Sequence, residues 1–351
     1  MSEISQSHRI DSLKSLRKLI SEPPSMMKKR LQSQVDDYCQ TIIEKAAVCA
    51  LGFAEPAADI EFLNLRDAPV VHSQGDRIAM SWPADKALPP VLAPGSRPRC
   101  SLYFIMPGIG FALRANGRCA VVPKDGAPLL EFQADALFLH CSRAKVRAEF
   151  WRARGDDFAA RAAAAAPAAA RLSEEALAFI ARSPYVLLLT RNADGATELS
   201  PRGDPDGFVR VLGGNTLVIP ERPGNKVACT LSNILVQEQV TASFVIPGCA
   251  TVLSVAGRGW LSADRQVLEP LAVNGKVPAV GIVLQVDRFR FQHCPELVAA
   301  GLWSSATHLR ESDIPSFPKM LAEHMNGRGL LGKATTLVVD AVVKHDLKNL
   351  Y

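Results

Sequence analysis

Short apolar runs alternate with turn residues along the second half of the chain. Gly, Pro, Asn or Asp separate most of these runs, as is typical of antiparallel strands joined by tight turns. The runs are YVLLLT (185–190), GFVRVL (207–212), TLVIP (216–220), TASFVI (241–246), TVLSVAGRGWL (251–261) and VGIVLQVDRFRF (280–291). The pattern predicts a mainly β fold in which antiparallel strands close into a barrel.

Two stretches near the start of the chain have helical periodicity instead. Pro23 and Pro24 end the first stretch, because proline cannot continue a helix. A shorter helix is predicted to begin after Ser173, whose hydroxyl can cap its first turn. The residues at helical spacing are Ile10, Leu13, Leu16 and Ile20 in the first stretch, and Leu31, Val35, Tyr38 and Ile42 in the second. We therefore expect helices that flank the strands.

The two halves of the chain carry similar motifs in the same order. The last of the matches below aligns Arg66 with Arg202. The matching pairs are FIMPGIGFALRANGR (104–118) with FVIPGCATVLSVAGR (244–258), ALFLHCSRAKVRAEFW (136–151) with FRFQHCPELVAAGLW (289–303), and LNLRDAP (63–69) with LSPRGDP (199–205). Three ordered matches predict a tandem duplication of one domain.

An alanine-rich tract divides the two copies. It reads FAARAAAAAPAAA, is interrupted by Pro167 and has no distinct apolar face, so we interpret it as a linker. The predicted organisation is an N-terminal domain with leading helices over 1–157, a linker over 158–171, and a C-terminal domain with a helical tail over 172–351.

Charge and composition narrow the function classes. The chain has 351 residues and a net charge of +5, from 40 Lys and Arg against 35 Asp and Glu. These basic residues are scattered, which does not indicate a nucleic-acid surface but suits an anionic small ligand. No apolar run is long enough for a membrane span, and the polar start lacks a signal core, so a cytoplasmic protein without a membrane partner is expected.

The eight cysteines include no CxxC pair and lie mostly in apolar stretches. We therefore expect reduced, buried thiols rather than disulfides or a zinc site. His and Cys are adjacent at His140-Cys141 and again at His293-Cys294. Neighbouring residues on a strand point to opposite faces, so neither pair is expected to chelate a metal.

Two segments of the second half combine turns with phosphate-binding residue types. They are LSPRGDPDGFVRV (199–211) and PERPGNKVACTLSN (220–233). Arg and Lys can form charge-assisted hydrogen bonds with phosphate, and Ser, Thr and Asn can complete its shell. Neither segment is a Walker loop or a GxGxxG motif. On the pattern alone, hairpins with solvated charges explain both segments equally well.

These segments, together with FIARSPYVLLLTRNADG, VIPG…VAGR, HC…LW and the tail DIPSFPKMLAEHMNGRG…DLKNLY, resemble the pyridoxamine 5′-phosphate oxidase-like FMN-binding split-barrel superfamily. The resemblance is to an uncharacterised bacterial branch and covers nearly all of the second copy. It implies a six-stranded split barrel that binds FMN at a dimer interface. It also implies that one barrel holds the flavin phosphate and that the partner barrel reaches the same flavin.

The resemblance assigns candidate cofactor-binding residues in both copies. Cys229 departs from the superfamily, which often has an acidic residue there. In the first copy the phosphate segment is shortened to ADKALPPV (84–91), where only Lys86 remains as a candidate. In the second copy the resemblance implies a phosphate side of Arg202, Arg210, Asn225, Lys226 and Thr230, with Pro201, Val218 and Ile219 near the flavin ring and Ser200 and Arg222 as further candidates. The first copy contributes the partner-side candidates His140, Arg143, Arg147 and Trp151.

The losses in the two copies are complementary, which leads to a hypothesis. The copies are predicted to form an intrachain pseudo-dimer with one composite FMN site, and the second site is predicted to be degenerate. The implied function is an FMN-dependent oxidoreductase for an unidentified small molecule, with NAD(P)H as a candidate electron donor. No catalytic residue is assigned, and both a monomer and a homodimer of chains stay open.

The alternative is a non-catalytic flavin-binding protein or a haem-binding or haem-degrading split barrel. A haem protein would need a histidine ligand, for which His72, His308 and His324 are the candidates.

Overall fold

The structure is a computed structural model that describes residues 6–53, 59–124, 127–155, 158 and 171–351. The predicted alanine-rich linker lies outside the described residues apart from its two ends, Phe158 and Arg171.

Strands make up most of the regular structure, and helices flank them. The strands are β1 (Arg9–Ile10), β2 (Val48–Phe53), β3 (Asp59–Asn64), β4 (Val70–Gln74), β5 (Arg77–Ser81), β6 (Arg99–Ile105), β7 (Ala112–Lys124), β8 (Ala127–His140), β9 (Tyr185–Arg191), β10 (Thr197–Gly203), β11 (Arg210–Leu212), β12 (Thr216–Pro220), β13 (Gln239–Val245), β14 (Thr251–Ser262) and β15 (Gly281–His293). The helices are α1 (Leu13–Leu19), α2 (Asp37–Lys45), α3 (Arg143–Arg147), α4 (Glu174–Arg182), α5 (Cys229–Ile234), α6 (Arg265–Leu268), α7 (Pro295–Ala299), α8 (Phe317–Asn326) and α9 (Leu330–Lys348).

The strands form two antiparallel sheets. The first sheet has the order β3-β2-β6-β7-β8-β5-β4, and the second has the order β10-β9-β13-β14-β15-β12-β11, with β1 added alongside β14. If β2–β8 and β9–β15 are each numbered one to seven along the chain, both sheets read 2-1-5-6-7-4-3. The mainly β fold with flanking helices is therefore confirmed. Closure into barrels and the duplication stay predictions, and the shared strand order agrees with a duplication.

The predicted strands of the second half all occur, but one further strand was not foreseen. β10 contains Pro201 and Gly203, two residue types that usually weaken a strand. It is the edge strand of its sheet and pairs only with β9. No strand pairs with its other edge, so the missing N–H of Pro201 removes no interstrand hydrogen bond there.

The predicted helices begin and end partly where expected. Ser173 does cap α4, because its Oγ accepts a hydrogen bond from the N–H of Ala176 at 3.2 Å. The helix expected over Leu31–Ile42 starts only at Asp37. Its predicted first turns are instead extended, with Gln32 bridged to Leu137 of β8.

Each sheet has its own buried apolar cluster. The N-terminal helix α1 packs on the second sheet, and the C-terminal helix α8 packs on the first. Leu16 of α1 packs into the cluster of the second sheet. Met320 of α8 packs into the cluster of the first sheet, beside Ile42 of α2. Each sheet is thus covered by a segment that is remote from it in the sequence. The domain boundaries stay a prediction.

A third apolar cluster joins the two sheets to each other. The hydroxyls of Tyr103 and Tyr185, one from each sheet, are 3.0 Å apart and fully buried. A Cβ added at Gly52 of β2 would lie 2.7 Å from the Cδ1 atom of Leu189 in β9, so glycine permits the close approach here. The sheets therefore pack directly against one another.

All eight cysteines are free thiols, six of them buried. Among the helices in the described ranges, none has the length and apolar character needed to cross a membrane.

Candidate functional site

A cleft runs between the two sheets and holds nine of the fourteen residues predicted to bind the cofactor. It encloses about 110 Å³. The nine residues are His140, Arg143 and Arg147 from the first half of the chain, and Ser200, Pro201, Arg202, Arg222, Asn225 and Thr230 from the second half.

The packing of α3 on β10 brings residues from the two halves of the chain to the same cleft. A Cβ at Gly203 of β10 would lie 2.0 Å from the carbonyl oxygen of Ala144 in α3. Any side chain at this position would therefore push the helix away. This glycine sets how closely Arg143 and Arg147 approach the second sheet.

The arginines on the second-sheet side already have acidic partners. The guanidinium of Arg202 donates to Glu221 Oε2 at 3.1 Å and to Ser200 Oγ at 2.8 Å. Arg222 Nε donates to Oδ2 of the fully buried Asp204 at 2.6 Å. These charge-assisted bonds fix both side chains along the cleft wall.

The arginines of α3 are placed differently. Arg143 and Arg147 both donate to the carbonyl oxygen of Pro223, at 2.8 and 2.9 Å. Burial lowers the pKa of both guanidinium groups. Their other partners come from the end of the chain: Arg143 forms an ion pair with Asp346, and Arg147 donates to the carbonyl oxygen of Leu350. Within the described ranges, Arg147 has no carboxylate within ion-pair distance.

A cluster of polar side chains that no sequence motif indicated forms the inner wall of the cleft. Arg114 of β7 forms a buried ion pair with Glu198 of β10, and Asn116 Nδ2 donates to Glu198 Oε2 at 2.9 Å. Arg114 Nη1 also lies 3.4 Å from His140 Nδ1. Part of the His140 ring faces the cleft, yet burial, followed by the charges of Arg114 and Arg202, holds its pKa well below the usual value. His140 is therefore a neutral group rather than a third phosphate-binding cation.

Arg30 is a further cleft residue that no motif indicated. It ends the 3₁₀ segment Ser25–Arg30 and is only 9% exposed. Its guanidinium lies 5.5 Å from the ring centre of Phe138, which Arg114 contacts at 4.7 Å. Among the described residues, no carboxylate is within ion-pair distance of Arg30.

The cleft carries an excess of positive charge. Six arginines line it against three carboxylates. The arginines are Arg30, Arg114, Arg143, Arg147, Arg202 and Arg222, and the carboxylates are Glu198, Asp204 and Glu221. Buried cations without balancing anions are costly, so a site of this composition favours an anionic ligand.

The structure does not bring the other five predicted residues to this cleft. Lys226 is exposed on the loop outside the cleft. Val218 and Ile219 are successive residues of β12, and each is buried in a different apolar cluster. Arg210 lies on β11 opposite Val218. Trp151 packs edge-on against Phe150, with ring centres 4.9 Å apart.

The loop that carries Lys226 has an unusual backbone held by the first helix. Lys226 and Ala228 both have positive φ, at 61° and 58°. Arg17 of α1 donates to the carbonyl oxygens of Lys226 and Val227, at 2.7 and 3.1 Å. A segment at the start of the chain therefore fixes the shape of the cleft's outer loop.

The contact between α7 and β3 is the counterpart of the α3–β10 contact at the cleft, and ion pairs fill it. There α7 packs on β3, as α3 packs on β10. Lys86 Nζ lies 3.3 Å from Glu61 Oε2 and also bonds to Glu296 of α7. Arg290 pairs with Asp59 and lies 3.9 Å from Glu61. Two carboxylates thus neutralise the charge of Lys86.

Strand register corrects the alignment of Arg66 with Arg202. Arg202 lies opposite Val186, which lies opposite Phe244. In the first sheet, Phe104 lies opposite Cys49, and Cys49 lies opposite Leu63. Because Phe104 and Phe244 are the matched pair, Leu63 occupies the position of Arg202. Arg66 lies beyond the end of β3 and is exposed. In this register the first sheet therefore has a leucine where the second sheet has Arg202.

One group with metal-ligand chemistry lies away from the cleft. Ligand atoms of Asp36, Cys39 and His324 lie within 4.8 Å of one another. His324 Nε2 is 2.9 Å from Asp36 Oδ2, and the same carboxyl group caps the N–H of Cys39 at 2.8 Å. Burial opposes ionisation of Asp36, but the His324 and Cys39 hydrogen bonds lower its pKa to about 2. These bonds account for the cluster as a clamp between α2 and α8.

The three histidines considered as haem ligands also lie outside the cleft. His72 is exposed on β4. His308 Nε2 lies 3.1 Å from the carbonyl oxygen of Leu302, and its ring packs on Trp151. His324 belongs to the clamp with Asp36.

No family model matches the chain, and no curated protein matches it. Parts of the chain are similar to solved structures. HupZ of Group A Streptococcus matches at 15% identity and a TM-score of 0.30, over 35% of this chain and 94% of its own. A proposed pyridoxamine 5′-phosphate oxidase of Lactobacillus delbrueckii matches at 20% identity and a TM-score of 0.28, over 34% of this chain and 94% of its own. A Clostridium acetobutylicum protein of the pyridoxinephosphate oxidase family, related to general stress protein 26, matches at 11% identity and a TM-score of 0.26, over 34% of this chain and 86% of its own. The solved structures that a part of this chain resembles thus include proteins of the pyridoxamine-phosphate oxidase type.

Proposed function

We propose that the chain binds one FMN in the cleft between its two sheets and acts as an FMN-dependent oxidoreductase on a small molecule. The observation that carries this proposal is the composition of the cleft. Both sheets contribute to it, and six arginines face three carboxylates there. A flavin mononucleotide offers a dianionic phosphate for such a site.

The residues present fit the phosphate of this cofactor. Arg143 and Arg147 are buried and share a backbone carbonyl as a common partner. Arg side chains suit phosphate because the guanidinium fork can donate two parallel hydrogen bonds. Ser200 and Thr230 line the same cleft and offer hydroxyl groups to complete the shell. These four side chains would hold the phosphate.

When bound, the flavin would supply the hydride or electron transfer. The task of the chain is then to bind the cofactor and to orient the substrate. His140, with its lowered pKa, is a neutral imidazole at the cleft wall that can accept or donate one hydrogen bond. No side-chain nucleophile is required, and none is assigned.

The proposal includes one cofactor per chain. The opposite place is filled by Lys86, Glu61 and Glu296, and two carboxylates there would repel a phosphate. The pseudo-dimer would therefore have one working site and one structural counterpart.

A non-catalytic flavin-binding protein is the second candidate, and the same cleft supports it. A haem protein has less support, because His72, His308 and His324 lie outside the cleft. His140 lines it, but its Nδ1 lies beside the cationic Arg114.

Titration of the purified protein with FMN, followed by the visible spectrum, tests the proposal. We expect the two-banded flavin absorption and one FMN per chain. The double variant Arg143→Ala, Arg147→Ala should lose FMN, whereas Lys86→Ala, on the opposite side, should keep the stoichiometry of one FMN per chain. Two FMN per chain, a Soret band after haem addition without FMN binding, or full affinity in the double arginine variant would contradict it. NAD(P)H oxidation with substrate screening then separates an enzyme from a binder.

A further inference from the structure

We infer that residues 346–351 are a displaceable occupant of the basic side of the cleft, and that a phosphate-bearing ligand must release them to bind. This inference rests on the proposed function for its natural ligand, FMN. It adds a regulatory element to that site, since the same arginines would serve either the tail or the ligand.

The tail satisfies both arginines of α3. Arg143 pairs with the carboxylate of Asp346. Arg147 Nε donates to the carbonyl oxygen of Leu350 at 2.8 Å, and its Nη2 donates to the same atom. The tail therefore places one carboxylate and one carbonyl where a phosphate would place its oxygens.

Tyr351 reaches across to the other wall of the cleft. Its ring lies 5.5 Å from the guanidinium carbons of both Arg147 and Arg222. Burial, followed by the negative charge of Asp204, raises the pKa of Tyr351 to about 12. One residue thus bridges an arginine from each copy.

The tail is weakly anchored compared with the cores. It begins in the last turn of α9, a helix whose buried residues are Gly332 and Val339. On the same helix, Leu330 is 85% exposed and Leu337 is 75% exposed. Segments with few buried apolar contacts open locally at low free-energy cost. The ion pair of Asp346 is also partly exposed, and such pairs add little stability.

The cleft must also widen before a cofactor can enter. It encloses about 110 Å³, whereas small-molecule sites typically span roughly 300–1,000 Å³. The tail contacts Arg143 and Arg147 on one wall of the cleft and Arg222 on the other. It does so through the ion pair of Asp346, the hydrogen bond to Leu350 and the ring of Tyr351. Release of the tail would free the three side chains and the space between them.

Competition by the tail has a simple thermodynamic consequence. If the tail is docked most of the time, the apparent affinity for a ligand equals the intrinsic affinity multiplied by the fraction of time that the site is free. We expect deletion of residues 346–351 to tighten FMN binding about tenfold, which corresponds to about 1.4 kcal/mol. Asp346→Asn and Tyr351→Ala should each give part of this gain. Lys348→Gln is the matched control, because Lys348 is an exposed side chain of the same segment, and it should leave affinity unchanged.

The test combines FMN titration of these chains with amide hydrogen exchange of residues 344–351 in the full chain. Bound FMN should speed exchange in this segment, and inorganic pyrophosphate, a probe independent of the flavin, should do the same. Tighter binding after deletion with faster exchange supports the inference. Equal or weaker FMN binding after deletion, or exchange that neither ligand changes, overturns it. If pyrophosphate releases the tail but FMN does not bind, the inference stands and the proposed function is wrong.

Discussion

Arg114 of the first sheet and Glu198 of the second form an ion pair across the boundary between the sheets, with side chains 3% and 9% exposed. Each sheet supplies one charge of the pair, and the pair lies at the inner wall of the cleft. When one charge of the pair is removed, the other is left without water to solvate it. A substitution of either residue therefore tests how the two sheets depend on each other.

Replacement of Glu198 by Ala should lower the free energy of unfolding by about 3–5 kcal/mol, because the buried guanidinium of Arg114 would lose its partner. Urea unfolding monitored by fluorescence measures this loss. The double variant Arg114→Met, Glu198→Leu is the control and should recover much of the stability, since it removes both charges. A single-variant loss below about 1 kcal/mol would show that the pair is solvated.

Lys145 should make stability depend on pH. This lysine is 2% exposed, and burial lowers its pKa from 10.5 to about 7. Between these two values the unfolded chain binds more protons than the folded one, so stability should rise as the pH increases from about 7 to about 10.5. Below about pH 7 both states are protonated, and the full cost of the buried charge remains.

The variant Lys145→Met removes this titration. We expect its free energy of unfolding to vary less than that of the original chain between pH 7 and pH 9, as measured by urea unfolding at several pH values. Parallel pH profiles for the two chains would show that Lys145 keeps an ordinary pKa.

Substitution of Gly203 by Ala should damage both stability and the cleft. The added Cβ would meet the carbonyl oxygen of Ala144, so α3 would have to move away from β10. Overpacking of this kind costs roughly 1–3 kcal/mol. FMN affinity should fall as well, because Arg143 and Arg147 belong to α3.

The control for this variant is Gly224→Ala. Gly224 lines the same cleft, but the atom nearest to an added Cβ there would be the carbonyl oxygen of Arg222, at 3.9 Å. Thermal unfolding and FMN titration of both variants separate the steric effect from a general loss of glycine. Equal behaviour of the two variants would argue against the role given to Gly203.

Removal of Lys86 should destabilise the chain without creating a second cofactor site. Lys86→Met would leave the carboxylates of Glu61 and Glu296 close together without their shared cation. Burial already raises the pKa of Glu61 and the charge of Lys86 opposes that rise, so loss of the cation leaves a buried carboxylate less compensated and stability should fall. The FMN stoichiometry of the variant should stay at one per chain. A second bound FMN would show that Lys86 and its partners block a functional site.

The fold was predictable from local pattern, but much of the site was not. Strand β14 occurs over Thr251–Ser262, almost where its apolar run predicts it. Arg30 and Arg114 belong to no motif and reach the cleft only because the sheets pack face to face. The tail meets Arg147 from about two hundred positions away, a contact that no local signal encodes.

Strand geometry argues against one pair of assignments taken from the resemblance. Val218 and Ile219 are neighbours on one strand, so their side chains point to opposite faces and both could not contact one ring. The position of Lys226 could not have been foreseen in this way. It depends on the positive φ of the loop and on the hydrogen bond from Arg17, a residue of the distant helix α1, to the carbonyl oxygen of Lys226.

The ion pairs that fill the place around Lys86 have a consequence for how such a protein can change. When two identical chains form a symmetric dimer, every substitution appears twice, so a carboxylate that closes one site also closes its mate. Here both sheets belong to one chain, and Glu61 and Glu296 stand on one side only. A single mutation can therefore add a stabilising ion pair on that side and leave the positive charge of the arginine-lined cleft unchanged. In a symmetric dimer the same mutation would change both sides.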